Sequence, residues 1–119
     1  MNFPYFPGID ATSDLDSDVT YLLSNVERAL GANYTLDEKK IVQRIRNEWD
    51  TIGQPCLYYF RNGSPEYLSL ISTGLPSLLD NATTFLSLIP KDGSDFYSNC
   101  ESFVTDIKTV IGLINSDSK

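Results

Sequence analysis

GQPCLYYFRNGSPEY, residues 53–67, decides the fold. It combines a helix-breaking pair, Gly53 and Pro55, with Cys56, the apolar run Leu57-Tyr58-Tyr59-Phe60 and the turn signal Asn62-Gly63. Upstream, a capping box, Thr35-Leu36-Asp37-Glu38, opens a helix whose apolar stripe is Ile41, Val42, Ile45, Trp49 and Ile52. Cys56 falls in the same phase. A proline inside a helix costs about 3 kcal/mol, by losing one hydrogen bond and clashing one turn back. The spacing therefore predicts a kink or stop at Gly53–Pro55, then a short helix ending near Arg61.

Downstream, Ser64-Pro65-Glu66 reads as cap, first helical residue and acidic first turn of a third helix. Leu68, Ile71, Leu75, Leu78, Leu79, Ala82, Phe85, Leu86 and Ile89 hold its phase across Gly74 and Pro76, where a second break is expected. Pro90 and Gly93 close it. A first helix is expected over Ser13–Leu30, capped by Thr12 or Ser13 and ended by Gly31. Its stripe is Leu15, Val19, Leu22, Leu23, Val26, Ala29 and Leu30. A fourth starts at Ser94 or Asp95 and carries Phe96, Cys100, Phe103, Val104, Ile107, Val110, Ile111 and Ile114 on one face.

No alternating strand pattern and no internal repeat is present. The fold class is all-α: a bundle of four main helices with breaks near Gly53-Pro55 and Gly74-Pro76 and one disulfide. Residues 1–11, with Pro4 and Pro7, read as an extended N-terminal arm carrying Phe3, Tyr5 and Phe6. Residues 12–115 form a single helical domain, and residues 116–119 a frayed polar tail.

The disulfide follows from the two cysteines, Cys56 and Cys100. In a simple up-down bundle they lie at opposite ends, whereas a bridge needs Cα atoms within about 7 Å. A chain redirected at Gly53–Pro55 would bring them together, and a bridge closing so long a loop is worth roughly 4 kcal/mol. Sequons at Asn33-Tyr34-Thr35 and Asn81-Ala82-Thr83 point with the cysteines to a secreted, extracellular glycoprotein. Asn62-Gly63-Ser64 is a third sequon, but Pro65 behind it disfavours use.

The net charge of −7 and the scatter of the basic residues argue against nucleic-acid binding. Lys39, Lys40, Arg44 and Arg46 are interleaved with Asp37, Glu38, Glu48 and Asp50 and read as a solvated helix face. No apolar run approaches the roughly 20 residues that span a bilayer, and the first residues lack the features of a signal peptide. The chain has no histidine. That removes His-based acid–base catalysis, Ser-His and Cys-His nucleophile pairs and imidazole metal ligation. Asp14-Leu15-Asp16-Ser17-Asp18 opens like a calcium loop, but Val19 and Asn25 stand where an EF-hand needs Gly and Glu. No enzyme activity, cofactor or metal is expected.

Binding is what remains. Splayed, broken helices would leave a core cavity for an apolar small molecule such as a fatty acid. Leu57, Tyr58, Phe60, Leu75, Phe85 and Phe103 are its candidate lining residues. The alternative is a secreted interaction factor working on a protein partner through its surface, which requires Phe3, Tyr5 and Phe6 to stand exposed.

Overall fold

The computed structural model describes residues 1–117, and the end of the expected frayed tail, Ser118 and Lys119, lies outside the described residues. Four helices make up the chain: α1 Phe6–Leu30, α2 Leu36–Asn62, α3 Leu68–Leu88 and α4 Asp95–Asp117. Single 3-10 turns, Gly31–Asn33 and Pro65–Tyr67, lead into α2 and α3. α1 packs on α2, α2 on α3, α3 on α4 and α4 on α1. The diagonal pairs, α1 with α3 and α2 with α4, bring no Cα atoms within 8 Å of each other. The result is an up-down-up-down bundle measuring 47 × 23 × 22 Å. The described residues contain no strand.

Most of the apolar stripes read from the sequence form the core; Leu23, Leu68, Leu79, Leu86 and Ile111 are partly buried at its edge, and Ala29 is exposed. Leu15, Val19, Leu22 and Val26 of α1 meet Ile41, Ile45, Ile52, Leu78, Phe103 and Ile107 of the other helices in one buried cluster. The capping box forms as expected, with the Thr35 N–H donating to the Glu38 carboxylate at 3.0 Å. Ser94 caps α4 by accepting from the Tyr97 N–H at 3.1 Å. Ile89, extended at φ −91° and ψ 154°, stops α3 ahead of Pro90.

Four expectations need correction. First, α1 begins at Phe6, so the extended arm is only residues 1–5. Pro7 stands in the first turn, where a missing N–H costs nothing because that turn has no intrahelical acceptor for it. Thr12, expected as a cap, donates back to the Gly8 carbonyl at 2.8 Å inside the helix.

Second, neither proline breaks its helix: α2 runs through Pro55 and α3 through Pro76. Ile52, Cys56, Tyr59 and Phe60 are buried on both sides of Pro55. Fully burying one such large apolar side chain is worth about 1.5–3 kcal/mol. Together they exceed the roughly 3 kcal/mol that the proline costs. The two glycines are packing positions. A Cβ on Gly74 would lie 2.6 Å from Ile52 Cγ2, and one on Gly53 would lie 3.0 Å from the Trp49 indole.

Third, Ser64 makes no side-chain cap, and Pro65 opens a 3-10 turn that feeds α3 at Leu68. Fourth, there is no disulfide: Cys56 and Cys100 are both free and buried. Because α2 runs on without a break through Gly53 and Pro55, the expected redirection of Cys56 toward α4 does not occur. The two residues sit on diagonal helices with Cα atoms more than 8 Å apart, beyond the reach of a bridge. Of the expected frayed tail, Ser116 and Asp117 belong to α4.

Candidate functional site: the aromatic end of the bundle

The opening stretch of sequence builds one end of the bundle. The last turns of α2 deliver Tyr58, Tyr59 and Phe60 there, and Gly63 ends the helix in the left-handed region at φ 67°. Its N–H donates to the Tyr59 carbonyl at 2.8 Å. Glycine is required twice over at this position. The backbone angle disfavours a side chain, and a Cβ would lie 2.5 Å from the Phe3 ring.

The N-terminal segment folds onto this platform. The Tyr5 N–H donates to the Phe60 carbonyl at 2.8 Å, which continues α2's hydrogen bonding into the arm. Phe3 meets Tyr59 edge-on with ring centroids 5.9 Å apart, Tyr5 lies 6.1 Å from Phe60, and Tyr59 meets Phe60 at 5.4 Å. Tyr58 pairs with Tyr67 of the following turn at 5.8 Å. Gly8 lets α1 close down on Phe60, whose ring would stand 2.1 Å from a Cβ there.

Part of this cluster faces solvent. Phe6 is 65% exposed, Tyr58 40% and Phe3 36%, with Met1 exposed beside them in sequence. Tyr5 is half-buried. Single exposed apolar residues are ordinary; here three aromatic residues near one end of the bundle are exposed.

The candidate ligand-lining residues do not surround one cavity. Phe60, Leu75, Phe85 and Phe103 are fully buried in the core, Leu57 is half-buried, and Tyr58 is on the surface. Phe85 packs edge-on against Phe96 at 6.3 Å, far along the chain from Phe60. Leu75 borders a cleft of about 90 Å³ with Ile71, Pro76 and Ile114, well below the roughly 300 Å³ at which ligand pockets begin. Leu57 borders a groove of about 250 Å³ between α1 and α2, with Ile9, Asp16, Trp49, Gly53 and Arg61. A further groove of about 270 Å³ lies between α2 and α3 at Ile52, Leu70 and Gly74.

The two sequons differ. Asn33 is exposed in the 3-10 turn before α2. Asn81 lies inside α3, half-buried, and donates to Glu48 Oε1 of α2 at 2.6 Å, a bond that Ser77 reinforces from the same helix. Burial pushes both thiols up to about 12, that of Cys100 with help from the nearby Asp18 charge. Neither is a nucleophile at neutral pH. Among the described residues, no three His, Cys, Asp or Glu side chains are grouped to hold a metal ion, and no helix is long and apolar enough to cross a membrane.

Two polar contacts carry no motif in the sequence. The Trp49 indole N–H donates to Asp16 Oδ1 at 2.8 Å, tying α2 to α1. Asp18 is buried at the α1–α4 seam, facing Asp106. The one available signal for Asp18 was its place in α1's heptad: it is adjacent to Val19, on the edge of the apolar stripe. Compared against family models, curated proteins and solved structures, the chain finds no match.

Proposed function

We propose that the protein is an interaction factor that engages a protein partner through the aromatic end of its bundle. The observation that carries this reading is the exposure of Phe6, Tyr58 and Phe3 on a platform that is otherwise tightly built. Folding the arm onto Gly63 and Phe60 fixes these rings before any partner arrives, so binding costs little ordering entropy. Aromatic side chains are enriched among the residues that dominate binding energy at interfaces. The cleft of about 90 Å³ beside Leu75 is small for an apolar ligand, which favours the interaction reading over the apolar carrier. A small molecule would fit better in the surface grooves, between α1 and α2 at Leu57 and Ile9 or between α2 and α3 at Ile52 and Leu70. With the thiols free, secretion and glycosylation rest on the sequons, of which Asn33 is the accessible one.

Photo-crosslinking tests the reading. A photoreactive residue is placed at Phe6, and a control at Ser102, exposed on α4. Each is irradiated in a protein extract of the source organism. The expected result is one discrete adduct from position 6, absent from position 102. Excess wild-type protein should compete it away, and excess Phe3→Ser/Phe6→Ser/Tyr58→Ser protein should not. Identical adduct patterns from both positions, or equal competition by the triple variant, would reject the aromatic end as the binding face.

A further inference from the structure

Asp18 is 9% exposed, and its Oδ2 atom is buried with no hydrogen-bond donor in reach. The carboxyl that acts on it most, by hydrogen bond and by charge, is that of Asp106, presented by α4. Two carboxylates have no proton to put between them. One carboxylic acid and one carboxylate do, and the orphaned atom then becomes a donor.

We propose that Asp18 and Asp106 share one proton across the α1–α4 seam and act as a pH-sensitive latch, closed while the proton is present and strained when it is lost. The groups facing Asp18 come from both sides of that seam. α4 presents Asp106 and the Cys100 thiol, and α1 itself presents Asp14. The Asn99 side-chain amide reaches from α4 to the Asp18 carbonyl at 3.5 Å, so it serves the backbone and leaves the carboxyl alone. The groups that act on the Asp18 charge include none from α2, the other neighbour of α1, whose Trp49 donates to Asp16 instead. Every charge near Asp18 is therefore negative, and each favours the protonated acid.

The direction follows from linkage. Burial first, then Asp106, then Asp14 raise the Asp18 acid from the ordinary 3.8 to about 8. Between those values the folded chain holds a proton that the unfolded chain has released. The latch's stabilisation is complete below about pH 4, declines as the pH rises, and is gone above about pH 8. The decline is at most about tenfold in the folding constant per pH unit.

The test uses the full chain and two variants, Asp18→Asn and Asp106→Asn. Either amide can donate to the remaining carboxylate without titrating. Denaturant unfolding is followed between pH 5 and 9 through Trp49, the sole tryptophan. Wild-type stability should fall toward pH 8 and then flatten; Asp18→Asn should lose that fall, and Asp106→Asn, which leaves Asp18 buried, should move it to lower pH. A second readout is internal to the wild-type chain. Loosening the seam bares Cys100 on α4 but not Cys56 on α2, so the ratio of Cys100 to Cys56 alkylation should rise through about pH 8. Variant profiles parallel to wild type, or an alkylation ratio that stays flat with pH, would overturn the latch. If Asp18→Asn fails to fold, Asp106→Asn and the alkylation ratio still decide.

Discussion

The indole N–H of Trp49 donates to Asp16 Oδ1 at 2.8 Å, joining α2 to the exposed edge of α1. Trp49 is otherwise buried and lies flat over Gly53, so this bond orients the largest side chain of the α1–α2 seam. Hydrogen bonds to charged groups contribute about 1.5–3 kcal/mol. Trp49→Phe is expected to destabilise the fold by about 2–3 kcal/mol, and Asp16→Asn, which keeps an acceptor, by under 1 kcal/mol. Urea unfolding followed by circular dichroism checks both. Equal losses from the two substitutions would show that the carboxylate geometry, rather than the indole, holds the seam.

Gly74 measures how closely α2 and α3 approach. A Cβ there would meet Ile52 Cγ2 at 2.6 Å, and Ile52 is fully buried. Overpacking of this kind costs about 1–3 kcal/mol. Gly74→Ala should lose stability in that range despite alanine's better helix propensity, and Ile52→Val should recover part of it in the double variant. A Gly74→Ala variant more stable than wild type would place the helices further apart than described.

Pro76 offers the opposite outcome. It is exposed inside α3, whose neighbours Leu75 and Leu78 are buried. Pro76→Ala restores a backbone donor and removes the clash, worth about 3 kcal/mol. It also frees the unfolded chain, which returns roughly 1 kcal/mol. The expected net gain is about 1–2 kcal/mol, read as a higher urea midpoint. A loss would mean that α3 uses its proline as a bend.

These two helices also show what the sequence could and could not convey. The apolar phase of α2 and α3 continued unbroken through Gly53–Pro55 and Gly74–Pro76, and phase proved the better guide. Local propensity argues for a break at each proline. The burial that overrides it belongs to side chains from other helices, which a single segment does not reveal. Pro7 misled in the same way, since a proline reads alike as breaker or as first-turn residue until the preceding chain is seen to fold back. The caps at Thr35 and Ser94 were legible because their chemistry is local. The aromatic end was legible only in part. The run Tyr58–Phe60 and the arm residues Phe3, Tyr5 and Phe6 stood out, but that Gly63 is the seat of Phe3 depends on a contact between distant segments. The expected bridge failed for a geometric reason: a continuous α2 keeps Cys56 on the diagonal from α4.

The cysteines give the next prediction. Both thiols are buried and held up to about 12, so the native protein at pH 7 should resist alkylation. Guanidinium should make both react, with the intact mass showing two additions for the two cysteines. Cys56→Ala and Cys100→Ala should each cost about 1–2 kcal/mol for the lost packing, with no change under reducing conditions. Destabilisation of the wild-type chain by a reducing agent would contradict the free-thiol structure.

Gly63 tests the aromatic end itself. Gly63→Ala places a methyl group against Phe3 at a positive φ. It should cost at least about 1 kcal/mol and release the arm, making the chain before Phe6 sensitive to limited proteolysis while α3 and α4 stay protected. Phe6→Ser, at an exposed position, should leave the unfolding midpoint within experimental error. An arm that remains protected in Gly63→Ala would show that Phe3 is not seated there.

We propose that this chain works through its surface rather than by carrying an apolar ligand. Native mass spectrometry of freshly purified protein, followed by denaturing mass of the same sample, tests it most directly. The account predicts one and the same covalent mass in both, with no bound species to lose. An apolar adduct present in the native spectrum, gone on denaturation and recovered by organic extraction would contradict it.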